Sequence, residues 1–175
     1  KCATAWPAGV GTTSFRGSFV EGSNNLWLAP FQASQIVRVD MSDCSMTGYD
    51  SWPTAVGFTL GAVPFHGAVF DGLRFGWLIP RDASHVVKLD TTDGSMTGYN
   101  TWPTSPAFVG GTYKFAGGAF DGQSIWMPPF QANMIVKVDK DSGSMAGFNS
   151  WPAGFTPGSY AFYAAAYDGR YVWFP

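Results

Sequence analysis

Ser45-Met46-Thr47-Gly48-Tyr49-Asp50-Ser51-Trp52-Pro53 returns as Ser95-Met96-Thr97-Gly98-Tyr99-Asn100-Thr101-Trp102-Pro103 and again as Ser144-Met145-Ala146-Gly147-Phe148-Asn149-Ser150-Trp151-Pro152. A phrase copied at such an interval marks an internal repeat, one supersecondary unit multiplied about an axis or along a line. All eight tryptophans obey it. They form two series, Trp6, Trp52, Trp102, Trp151 and Trp27, Trp77, Trp126, Trp173, with steps of 46 to 50 residues.

Each unit reads as four strands. Phe115 to Phe120 is a small, Gly-rich first strand that permits close approach of neighbouring backbones near an axis. Asp121-Gly122 is a hairpin signal, because both residues tolerate positive φ, and Asp71-Gly72, Asp168-Gly169 and Glu21-Gly22 stand at the same place. The second strand, Ile125-Trp126-Met127, is closed by Pro128 and Pro129. Ile135 to Asp139 alternates apolar and polar residues as a half-exposed third strand does, and Ile36 to Asp40 and Val86 to Asp90 repeat it. The fourth strand is expected over Met145 to Trp151.

Composition agrees with an all-β chain. At 175 residues and 46% hydrophobic, with 22 Gly, 12 Pro and 17% aromatic residues, the chain has the apolar mass for a core and the turn formers for short strands. Net charge is −2 and only 13% of residues are charged, so no electrostatic footprint for nucleic acid is present. No apolar run approaches the roughly 20 residues of a membrane-spanning helix.

Four antiparallel strands per unit make the blade of a β-propeller. The Phe120-Asp121-Gly122 turn with Ile125-Trp126, followed by Val136-Lys137-Val138-Asp139 and a Ser142-Gly143 turn, resembles the repeats of YVTN-type and virginiamycin B lyase-like propellers, and Gly117-Gly118 with the later aromatics resembles kelch. An open β-solenoid or β-prism is the alternative fold. The expected organisation is one propeller region over 1–175, with a partial unit 1–13, full units 14–63, 64–113 and 114–160, and a partial unit 161–175. The two end pieces together lack a third strand, so a fragment of a longer propeller, or a piece of an assembly of several copies, is expected.

Ten of the twelve acids, Glu21, Asp71, Asp121 and Asp168 among them, recur at turns, where a carboxylate accepts hydrogen bonds from backbone N–H groups. Asp139 to Gly143 invites comparison with a calcium loop, but its glycine comes one position early and no Glu closes it. No metal is expected, and no cofactor. The tryptophans read first as packing between units and second as sugar-stacking platforms.

Departures from the repeat carry more information. His66 occupies a first-strand position filled by Arg16, Ala116 and Tyr163 elsewhere, a variable ring that would face one channel end. Arg81, Asp82 and His85 make the second unit the most polar, with Phe31-Gln32 and Phe130-Gln131 opposite Arg81-Asp82. The six residues Arg16, His66, Tyr163, Arg81, Asp82 and His85 are therefore the candidate ligand-binding set, the other reading being drift at exposed edges.

No nucleophile elbow or paired-carboxylate signature appears, so no catalytic residue is assigned. The lyase-like resemblance implies histidine and acidic residues at a channel mouth, where only His66 is placed. Two function classes follow: a non-enzymatic module recognising a glycan or protein partner, and a propeller lyase or hydrolase with its site at the channel mouth. The expected partner is a protein or a glycan, with self-association through the open C-terminal edge as a further route, and neither nucleic acid nor a membrane span is expected. Cys2 and Cys44 both replace repeat glycines. A Cys2–Cys44 disulfide is expected, free or intermolecular thiols being the alternative, and with it an extracellular or secretory-pathway location.

Overall fold

The computed structural model describes residues 5–10 and 15–175, and among these there is no helix. The fourteen strands form three four-stranded antiparallel sheets and one two-stranded sheet, each sheet in chain order. The first sheet holds β1 (Phe15–Glu21), β2 (Asn25–Pro30), β3 (Ile36–Asp40) and β4 (Met46–Tyr49). The second holds β5 (Phe65–Phe70), β6 (Phe75–Pro80), β7 (Val86–Asp90) and β8 (Met96–Tyr99). The third holds β9 (Ala119–Phe120), β10 (Ser124–Met127), β11 (Ile135–Asp139) and β12 (Met145–Phe148), and β13 (Ala166–Tyr167) pairs with β14 (Val172–Trp173) in the last. Register repeats with the sequence. Leu28↔Val37, Leu78↔Val87 and Met127↔Val136 are the same pair in three sheets.

The hairpin acids tie each first turn to the tryptophan behind it. Asp121 Oδ1 accepts the backbone N–H groups of Gln123 and Ser124 while Oδ2 accepts Trp126 Nε1–H at 2.6 Å. Asp168 treats Arg170, Tyr171 and Trp173 identically, and Glu21 accepts Trp27 Nε1–H at 2.9 Å. Asp71 differs. Its Oδ1 takes three backbone N–H groups, from Leu73, Arg74 and Phe75, and Trp77 Nε1 is left buried without a partner.

Sheets pack face to face through the repeat aromatics. Trp52 leaves the first sheet and stacks on Phe65 of the second with ring centres 5.7 Å apart, and Trp102 stacks on Phe115 at 6.0 Å. Tyr49 and Tyr99 lie against the turns at Gly94 and Gly143, where a Cβ would run into their rings. Those turn residues have φ of 77° and 71°, and Cys44 takes the same left-handed conformation at 65°. Trp27 and Trp77 are both fully buried, so these two serve packing rather than sugar stacking.

First strands lie beside one another. A Cβ on Gly67 would stand 2.9 Å from Gly117 Cα, and the Gly117 N–H donates to His66 O at 2.7 Å. Close approach bends the strands: the β1–β2 register shifts between Phe15 and Ser18, and the β5–β6 register between Phe65 and Ala68. In the third unit the ladder is interrupted further. The expected Phe115 to Phe120 strand keeps ladder pairing only at Ala119–Phe120, with a separate bridge from Phe115 to Pro129. The fourth strand also ends earlier than expected, at Phe148, because the chain turns away to place Trp151 against Phe162 at 5.8 Å.

Candidate functional site

Antiparallel pairing puts the start of each first strand beside the end of the second, as Phe15↔Pro30, Phe65↔Pro80 and Phe115↔Pro129. The residues that follow in each case are Arg16 and Phe31, His66 and Arg81, Ala116 and Phe130. The variable ring and the variable second-strand ends therefore share one end of the fold. The bulges at Arg16-Gly17 and His66-Gly67 sit at this edge, as bulges beside functional sites often do.

Two guanidiniums share one phenyl ring there. Arg16 Cζ lies 4.2 Å and Arg81 Cζ 5.3 Å from the centre of Phe31, and Arg81 rests 3.5 Å from the centre of Tyr113 on its other side. Arg81 is buried, at 7% exposure, and approaches Asp82 Oδ2 at 3.4 Å, whereas Arg16 is exposed. Cation–π contacts of this kind contribute about 0.5–2 kcal/mol each. His66 stands between Phe31 and Phe130, with ring centres 5.6 and 5.8 Å away, and its Nε2 is 3.4 Å from Arg16 Nη1. Beyond Phe130 come Tyr160 and Tyr163, each 4.8 Å from it and exposed at 48% and 62%.

The protonation of His66 follows from these neighbours. Burial, then the charges of Arg16 and Arg81, push its pKa below the ordinary histidine value, so it is neutral at pH 7. Arginine can only donate, so Nε2 is the acceptor and the proton sits on Nδ1. That Nδ1–H is buried and has no partner. Lys114 belongs to the support beneath: its Nζ donates to the carbonyls of Arg81, Asp82 and Ala83, and burial lowers its pKa against the opposing pull of Asp82.

Of the six residues that the repeat departures single out, Arg16, His66, Arg81 and Tyr163 fall in one cluster, and Asp82 flanks it by pairing with Arg81 and accepting the Tyr113 N–H at 3.2 Å. His85 is elsewhere. It is 1% exposed, hydrogen-bonded to Ser84 at 2.8 Å, and packs over Gly98 and Pro53, as Gln35 does over Gly48 and Pro7 and Met134 over Gly147 and Pro103. Burial lowers its pKa too. Cys2 lies outside the described residues, so the Cys2–Cys44 pairing does too.

Departures from the repeat do not single out Phe31, Tyr113, Phe130 and Tyr160. A signal exists for two of them. Tyr113 and Tyr160 precede the first strands of consecutive units and both adopt left-handed backbone, with φ of 60° and 64°. Such a conformation in a bulky residue costs about 1–3 kcal/mol and concentrates at functional sites. Other concave surfaces exist. A cleft of about 430 Å³ is lined by residues including Gln131, Asn133, Trp151 and Thr156, on the third unit. Among the described residues no group of three His, Cys, Asp or Glu is arranged to hold a metal ion. The Asp139 turn instead spends its carboxylate on Asp141, Ser142 and Gln123.

No protein-family model matches the chain, and no curated protein matches it. Solved structures do. A streptogramin B lyase superposes with a TM-score of 0.65 at 18% identity, over 98% of this chain and 51% of that one. Virginiamycin B lyase from Staphylococcus aureus gives 0.62 at 16%, over 90% and 47%. An auxiliary nutrient binding protein from Bacteroides thetaiotaomicron gives 0.59 at 9%, over 92% and 35%. The chain is a β-propeller repeat protein. It spans about half the length of the two lyases, and at these identities the likeness is one of fold.

Proposed function

We propose that this propeller is a non-enzymatic recognition module that binds a glycan or a protein partner at the channel end built by Arg16, His66, Arg81 and Tyr163. One observation carries the reading: four of the six residues that break the repeat, Arg16, His66, Arg81 and Tyr163, are gathered at one end among aromatic rings, while the acids that obey it are consumed by turns. Rigid rings with polar tips suit recognition because they present area at little entropic cost. The nutrient binding protein and the extracellular domain of a putative one-component system among similar folds support an extracellular setting. A Cys2–Cys44 disulfide would fit an oxidising compartment.

A second reading is a lyase or hydrolase at the same end, favoured by a neutral His66 beside two guanidiniums, a base next to charge-stabilising groups. A glycan array probed with the wild type and with Arg16→Ala/Tyr163→Ala tests the first reading. Binding lost in the double variant supports it, and binding that survives refutes this location. Turnover of a bound glycan, abolished by His66→Ala, would replace the first reading with the second.

A further inference from the structure

We propose, resting on the recognition reading above, that the ligand is an acidic oligosaccharide whose carboxylate sits at Arg16 and whose sugar faces run toward Tyr163. The charge arithmetic is local. Arg81 has Asp82 at 3.4 Å, but among the described residues no carboxylate pairs with Arg16. With His66 neutral, Arg16, Arg81 and Lys114 face only Asp82 among the described residues, so this end is locally positive on a chain of net charge −2. A positive end attracts a carboxylate, and the unpaired Arg16 guanidinium fork matches its planar oxygens.

The two guanidinium carbons are no more than about 9.5 Å apart, since both sit over Phe31, the two distances to the ring centre added. Tyr163 and Tyr160 add two exposed rings with hydroxyl tips, separated from Arg16 by His66 and Phe130. That separation asks for an oligomer rather than one sugar.

Titration calorimetry on the full chain with oligomers of glucuronate, galacturonate and mannuronate, with a neutral glucose oligomer and with an oligoglutamate peptide tests this. At least one uronate oligomer is expected to bind ten times more tightly than the neutral oligomer. Arg16→Gln is expected to remove that advantage, and Arg16→Lys to restore part of it. Equal binding of neutral and acidic oligomers, or an unaltered preference in Arg16→Gln with an unchanged unfolding curve, overturns the carboxylate assignment and leaves a glycan site standing. Peptide binding as tight as uronate binding overturns the sugar assignment but keeps a partner site. No binding by any probe, together with an empty glycan array, overturns both.

Discussion

Replacing Gly67 by Ala tests the contact between neighbouring first strands on which the geometry of the Arg16–His66 end depends. Gly67 has φ of 131°, a region that L side chains avoid, and its added Cβ would lie 2.9 Å from Gly117 Cα and 3.1 Å from Gly117 N. The backbone term is about 1–3 kcal/mol, and forcing a methyl between two main chains costs about 1–3 kcal/mol more. Gly67→Ala should therefore destabilise by about 2–6 kcal/mol, a large share of the roughly 5–15 kcal/mol that holds a domain together. Gly72 supplies the control, because it too has positive φ, at 79°, yet a Cβ there meets nothing within 4 Å. Its alanine variant should lose only about 1–2 kcal/mol. Urea unfolding followed by tryptophan fluorescence gives both values by linear extrapolation. If the two variants lie within about 1 kcal/mol of each other, the first strands do not abut as described.

Three other outcomes are expected. Burial alone would raise the Asp121 carboxyl pKa, but hydrogen bonds from Trp126 Nε1–H and two turn N–H groups outweigh it and hold the value below the usual one; Asp121→Ala removes that acceptor and should cost about 2–3 kcal/mol. A neutral result would remove the turn from the scaffold. His66 and His85 both have pKa values lowered by burial, so the unfolded chain binds more protons just below about pH 6.5. Stability is thus complete above that pH and declines as pH falls through the folded values, and the His66→Gln/His85→Gln variant should have a flatter profile between about pH 7 and 5. An unchanged slope would contradict the burial of both rings. Alkylation without reductant followed by intact-mass measurement should leave Cys2 and Cys44 unmodified if they are bridged, and two added labels would refute the disulfide.

Much of the scaffold was legible because its signals are local. Asp-Gly turns, alternation in Ile135–Asp139 and the Trp spacing each act within a few residues, and the sheets formed where those signals lay. The first strand of the third unit was not, since its ladder is interrupted by the neighbour: Gly117 turns its N–H to His66 O rather than along its own sheet. The glycines of Phe115 to Phe120 announce the close approach of a neighbouring backbone, but not that it would interrupt the strand's own ladder. The site was half legible for the same reason. Arg16, His66 and Tyr163 align by repeat position, but Tyr113 reaches Arg81 through a loop conformation that periodicity does not encode.

His85 shows why variation alone does not define a site. Gln35, His85 and Met134 differ as much as Arg16, His66, Ala116 and Tyr163 do, yet the first three are buried and each packs over a fourth-strand glycine and a proline from the preceding linker. Their chemistry changes because the gap tolerates several fillers of similar volume, and solvent never meets the difference. In the other series, Arg16 and Tyr163 remain exposed and His66 and Arg81 are ordered around shared rings. In the proposed site, departure from the repeat coincides with convergence on one end of the fold around shared rings, and that condition separates His66 from His85.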